Sequence, residues 1–244
     1  MKTTRTSSNL STFKTPVLYD QAWLLAILAG VAFLLAMIVV LIVGQFTNVS
    51  ISAWGILGSI APWYLAIMSG WTIYTQLPMF VAHGRTRKWG FSVWGAIAAV
   101  LVPMAAVFMV IGYQLERIVY HFADFSFSID DNYYFDSPGE VHIIFFQYFV
   151  TFAVWTVLGG FVGASLYRSD EIGWLSIPVA IAISSLAGAW DNSGGGLFGF
   201  LRRIVPAINH ESIWLDLTLA VIAVTVSGYV TWKMVYNMPL RNPS

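Results

Sequence analysis

An all-α integral membrane protein of six transmembrane helices, with both termini cytoplasmic, is the fold class predicted by three features of the chain. Residues 21 to 84 carry no Asp, Glu, Lys or Arg, and charge-poor stretches recur as far as Lys233. Hydrophobic residues make up 58% of the chain and charged ones 10%, with a mean hydropathy of +0.72, whereas a soluble domain is about a quarter charged. The apolar segments are also apolar on every face. A hydrocarbon core of ~30 Å needs roughly 17 to 25 helical residues, and barrel strands would instead alternate polar and apolar positions over about ten.

The chain reads as one domain, residues 1–244. Residues 1–21 form a cytoplasmic N-terminal segment, Ser/Thr-rich and weakly basic, in which Phe13, Val17, Leu18 and Tyr19 allow either a surface-lying amphipathic piece or a tail. The first span is placed at 22–44. Its apolar run exceeds the roughly 7 to 15 residues of a secretory signal, so it is expected to stay as a membrane helix. The second span, 54–74, holds Pro62 and the small residues Gly55, Gly58, Ser59, Ser69 and Gly70, which give it flexibility and a closely packable face. A short inner loop follows, with Pro78 suited to the first turn of a small helix and Gly84 to its end. The third span is 89–113.

Residues 114–140 are expected to form an acidic outer loop. Glu116, Asp124, Asp130, Asp131, Asp136 and Glu140 face only Arg117 and His121, and Phe125, Phe127 and Ile129 alternate with polar residues as in a short strand. The fourth span, 141–167, carries Gly159 and Gly163 at small-xxx-small spacing, which suits close packing inside one subunit or between two. The fifth, 173–190, is the shortest. Residues 191–212 begin with a glycine run and become apolar around Phe198 and Phe200 before Arg202 and Arg203. Too short to cross, this segment reads as a re-entrant or interfacial piece. The sixth span is 213–232.

Orientation follows from the cations. Lys2, Arg5, Lys14, Arg85, Arg87, Lys88, Arg168, Lys233 and Arg241 fall on one side of this topology, and Arg117, Arg202 and Arg203 on the other. The positive-inside rule makes the first side cytoplasmic. Trp23, Trp54, Trp89, Trp174, Trp190, Trp214 and Trp232 fall at span ends, where indoles prefer the headgroup region. Trp63, Trp71, Trp94 and Trp155 lie within spans and read as packing residues.

The same pattern excludes chemistry. With no cysteine there are no disulfides or thiolate metal sites. The four histidines, His83, His121, His142 and His210, lie at or beyond span ends and form no i, i+4 pair for a metal. Asp130, Asn132 and Asp136 resemble part of a calcium loop, but Phe135 stands where its glycine is required. No metal, cofactor or catalytic residue is expected, and no nucleic-acid partner. The spans contain no Asp, Glu, Lys or His beyond His142 and Asp216, in the first turns of the fourth and the last, which disfavours a self-sufficient ion-coupled carrier. No Gly-rich phosphate loop ending in Gly-Lys-Ser/Thr is present either, so the chain is not expected to hydrolyse ATP.

The most distinctive local stretch runs from Leu77 to Trp89. On charge alone it is a basic loop that fixes orientation. Its residues Phe80, Val81, Gly84, Thr86, Arg87, Lys88 and Trp89, with Arg85 inserted before the threonine, resemble the coupling-helix segment of the permease subunits of type-2 family ATP-binding-cassette exporters. That resemblance implies six helices, a short cytoplasmic coupling helix between the second and third spans, and a re-entrant connection before the last. It implies a translocation pathway made with a second permease copy or a related permease. Cytoplasmic ATPase subunits would dock at Phe80–Lys88 and hold the ATP and Mg. It places the chain, with membrane lipids around it, in a bacterial cytoplasmic membrane. The cargo class stays open among hydrophobic drugs, lipids, glycan-lipids and peptides. The alternative is a non-transporting scaffold or assembly protein of a multi-subunit envelope complex.

Overall fold

In the computed structural model the residues described are 52–123, 135, 137–187 and 213–237, with helical residues also among 23–42. Every regular element among them is helical. Helix α1 spans Ala53–Trp71 and passes through a π-helical turn, Thr72–Gln76, directly into α2, Leu77–Ala82. Helices α3 (Arg87–Phe122), α4 (Val141–Arg168), α5 (Asp170–Leu186) and α6 (Ile213–Tyr236) follow. Four helical runs are long and apolar enough to cross a membrane: Trp54–Ala82, Arg87–Phe122, Val141–Arg168 and Leu217–Tyr236. These carry the second, third, fourth and sixth expected spans. The fifth corresponds to α5, which has 17 residues and reaches only about 25 Å. Of the first, residues 23–28, 30–32, 34–35, 38–39 and 42 are described, all of them helical.

Helix α4 is the hub, packing against α1, α3, α5 and α6. Its sequence explains why: Gly159, Gly160, Gly163, Ala164 and Ser165 are buried in succession along its second half, so neighbours can approach its backbone. A Cβ added to Gly159 would lie 2.1 Å from the Ala66 carbonyl oxygen, and one on Gly163 2.3 Å from that of Gly70. The small-xxx-small pair therefore packs within the subunit, where van der Waals contact between backbones supplies association in a solvent as apolar as the helices. Gly173 does the same for α5, seating it on Leu166 after a break at the single residue Ser169.

The chain direction alternates through α1, α3, α4 and α5, and α6 runs parallel to α4. Arg85, Arg87, Lys88, Arg168 and Lys233 consequently share one end of the bundle, and Glu116, Arg117 and Glu140 the other.

Three expectations need correction. The third span does not stop at residue 113: α3 continues to Phe122, so the acidic loop begins later than 114. Leu115, Ile118 and Phe122 are exposed while Tyr113, Glu116 and Tyr120 are buried. An apolar outside over a polar inside suits lipid, and nothing in that pattern ends a helix. The expected coupling segment, second, is not set apart by a loop: α2 continues the second span as one helical run, Trp54–Ala82. Gln76 and Leu77 keep right-handed helical backbone, and Pro78 is tolerated because the π turn has already displaced the hydrogen-bond ladder. Third, Trp54 is not an interfacial anchor. It is 4% exposed, its Nε1–H donates to the Met109 carbonyl at 2.9 Å, and its ring occupies the space left by Gly112.

Candidate functional site

The basic end is built by a helix stop and a helix start. Gly84 has φ +77, a left-handed conformation that costs glycine nothing and terminates α2. Two residues later Thr86 caps α3, its hydroxyl accepting from the Trp89 N–H at 3.2 Å. Between them the hairpin closes on aromatic contacts: the Phe80 and Trp89 rings meet edge to face at 5.2 Å. The Arg85 guanidinium lies 5.2 Å from the Trp89 ring centroid, a cation–π contact. Gly90 admits Leu77 alongside.

Arg87 does something different from its neighbours. Its Nη1–H donates to the Tyr236 carbonyl at 3.0 Å, capping the carboxyl end of α6 from across the bundle, where a cation also complements the helix dipole. Lys88 is exposed, and Lys233 sits 5.0 Å over the Tyr229 ring on α6. Of the cations in the expected docking segment, then, Arg87 is tied into the fold, Arg85 is laid on an indole and Lys88 points free of the helix pair. Val81 packs beneath them against a buried group that includes Leu77, Trp94 and Val235.

The π turn immediately precedes this end. The Leu77 N–H donates to the Thr72 carbonyl, five residues back rather than four, and the turn leaves Gln76 Oε1 buried without a hydrogen-bond partner, as Trp89 Nε1 also is. Single π turns concentrate at functional positions of helices. On its other side the helix is locked: the Trp94 Nε1–H donates to Ser69 Oγ at 2.8 Å and the Ser69 hydroxyl to the Thr156 carbonyl at 2.5 Å. This chain of bonds ties α1 to α3 and α4, and Gly160 leaves room for the Trp94 ring. Thus α1 is fixed above the π turn and α2 is attached to α3 below it.

The far end contains a residue that sequence reading placed in a solvated loop. Glu116 is fully buried. Its Oε2 accepts from the Ser52 hydroxyl at 2.7 Å and its Oε1 from the Trp54 N–H at 3.1 Å, while Ser52 Oγ accepts from the Gly55 N–H at 3.0 Å. A carboxylate from α3 thereby completes the amino-terminal cap of α1, where anions are favoured. Tyr113 and Tyr148 join hydroxyls nearby at 2.9 Å, and Phe135 covers Tyr113 edge-on at 5.3 Å. The signal in the sequence was the helical spacing of Met109, Tyr113, Glu116 and Tyr120, all buried on one stripe of α3.

No family model, curated protein or solved structure matches the chain. The functional reading therefore rests on the residues themselves.

The remaining sequence candidates divide in two. Gly55 lies near the Tyr113 hydroxyl with room for a methyl, Pro62 is buried within α1, and Ser59 lies half-buried on the same helix. Gly58, by contrast, is occupied by the Tyr148 hydroxyl, which would sit 2.4 Å from a Cβ there. Phe198, Phe200, Arg202 and Arg203 lie outside the described residues, as do the alternating Phe125–Ile129 and the calcium-like Asp130, Asn132 and Asp136. Among the described residues no group of three or more His, Cys, Asp or Glu could hold a metal ion.

Proposed function

We propose that the chain is the membrane-spanning permease subunit of an ATP-binding-cassette exporter, moved by separate cytoplasmic ATPase subunits that hold ATP and Mg. The observation that carries this reading is the continuous run Trp54–Ala82, 29 residues long, which at 1.5 Å per residue measures about 43 Å against a hydrocarbon core of ~30 Å. Its surplus falls at the cation-rich end. There it carries Phe80 and Val81 beyond the bilayer and ends in the Gly84–Lys88 hairpin. A push on that hairpin is delivered down the axis of the helix, which can yield at the π turn and, farther along, at Pro62. Export would follow from relative movement of α1 and its partner in a second permease copy. The absence of a phosphate loop from the sequence leaves the energy source to another polypeptide.

Arg87 holds α6, so reversing its charge would disturb the fold as well as any docking. Arg85→Glu combined with Lys88→Glu leaves that bond intact. Co-purification of the ATPase and ATP-dependent export should both fall in the double variant while membrane insertion and thermal stability persist. Undiminished ATPase binding would remove the docking claim. A non-transporting scaffold would lose partner binding in the same variant but would show no ATP-dependent change in distance between labels on α1 of the two permease copies.

A further inference from the structure

Helices α1 and α5 both pack on α4 and not on each other. The glycines of α4 draw α1 onto one of its sides, Gly173 draws α5 onto another, and the space between is left as a groove. Its volume is about 360 Å³ and its lining is almost wholly apolar, with Trp63, Trp71 and Tyr74 on one wall and Val162, Leu166 and Ile181 among those opposite. The Trp63 and Trp155 rings meet at 4.7 Å and make one flank rigid. Ile67 and Trp71, which also line it, are 65% and 56% exposed, so the groove opens onto the outer surface of the bundle.

From these features we infer that the groove is a binding site for one acyl chain of a membrane phospholipid, taken from the leaflet at the Arg168 end. Position, length and charge each point to that occupant. The groove lies between helices that cross or line the membrane, where the solvent is hydrocarbon, and a furrow of this size in such a solvent is filled by acyl chains. From Trp63 to Tyr74 the helix rises by eleven steps, about 16 Å, and one leaflet is half of a ~30 Å core. The groove therefore runs from mid-membrane to the headgroup level.

At that level the rim is polar. Tyr74 meets Tyr167 edge-on at 6.4 Å. Exposed Arg168 follows Tyr167, and exposed Asp170 and Glu171 open α5. Asp170 lies on the same helical face as Ile177 and Ile181, at i+7 and i+11 spacing. One cation beside two carboxylates suits a zwitterionic headgroup, phosphate toward Arg168 and ammonium toward Asp170. It opposes an anionic one. Affinity would come from dispersion contact with the tryptophan walls rather than from release of water. The inference does not depend on the transport reading.

The test uses the whole chain purified in mild detergent, with one equivalent of phosphatidylethanolamine carrying a photoactivatable diazirine on its acyl chain. Peptide mapping should place the label around Trp71 and Val162. Ile177→Trp and Ile181→Trp, each adding bulk inside the groove, should cut labelling about fivefold without lowering the melting temperature. A phosphatidylglycerol probe should label more weakly. Labelling spread evenly over exposed apolar positions such as Ile111 and Val226, or unchanged in both variants, overturns the site. A wild-type dimer that both variants dissociate would mean that a second copy fills the groove, which also overturns it. Should the variants fail to fold, the wild-type label map decides alone.

Discussion

Glu116 and Trp54 are both residues whose type suggests an interface and whose neighbours place them inside. Removing the carboxylate without replacing its acceptors should be costly. Glu116→Leu leaves the Ser52 hydroxyl and the Trp54 N–H facing an apolar side chain, and each buried donor left without an acceptor costs about 1–3 kcal/mol. Glu116→Gln keeps an acceptor oxygen and should lose much less; melting in detergent, followed for both variants, checks the order. Gly163→Ala is a separate case. The new methyl would meet the Gly70 backbone, which cannot swing aside as a side chain can, so destabilisation of about 1–3 kcal/mol is expected from overpacking. Gly95→Ala, with nothing within 4 Å of the added carbon, is the control and should be neutral or slightly stabilising through helix propensity.

The π turn is the feature of an individual helix with the clearest consequence. It takes up one extra residue in the ladder of the Trp54–Ala82 run, so deleting Thr75 should restore an uninterrupted α-helix and leave α2 facing as before. Leu77, 3% exposed against Gly90, would keep its seat, and Phe80 its contact with Trp89. Because the chain has no cysteine, the outcome can be read directly. A Phe80→Cys, Trp89→Cys pair should cross-link in the otherwise native chain and still do so after the deletion. Cross-linking lost after the deletion would show that α2 has turned and that the π turn does more than take up one residue. The helix itself was legible from the run of apolar residues, but its π register was not. Nothing in Thr72, Ile73, Tyr74, Thr75 and Gln76 forbids an α-helix, and the register is decided by what α3 and α4 require of the residues on either side.

Across the molecule, the described cations divide by end: Arg85, Arg87, Lys88, Arg168 and Lys233 together, Arg117 apart. The positive-inside rule assigns the first group to the cytoplasm. Lys88→Cys and Arg117→Cys, both at exposed positions, should react with a membrane-impermeant thiol reagent from opposite sides, the first only after the cytoplasmic face is opened. Labelling in the reverse order would invert the topology and remove the docking surface from reach of an ATPase. Membrane character and the general course of four crossing helices could be read in advance, because burial in hydrocarbon imposes a length and a lack of charge that survive in a single sequence. The inward partners could not. In a membrane both faces of a helix are apolar, so hydrophobic periodicity does not mark which one meets protein.

Composition thus decided the solvent of this protein, the crossing segments and the side on which its cations gather, since each follows from the transfer cost of individual residues. Contact decided the rest. Tertiary packing set the glycines of α4 against α1 rather than against a second copy, drew Glu116 from an expected loop into a helix cap, joined Leu77–Ala82 to the second span, and left an open furrow beside α5. Those outcomes depend on which backbones can approach within van der Waals distance of one another, a property of pairs of helices that no single helix carries in its own sequence.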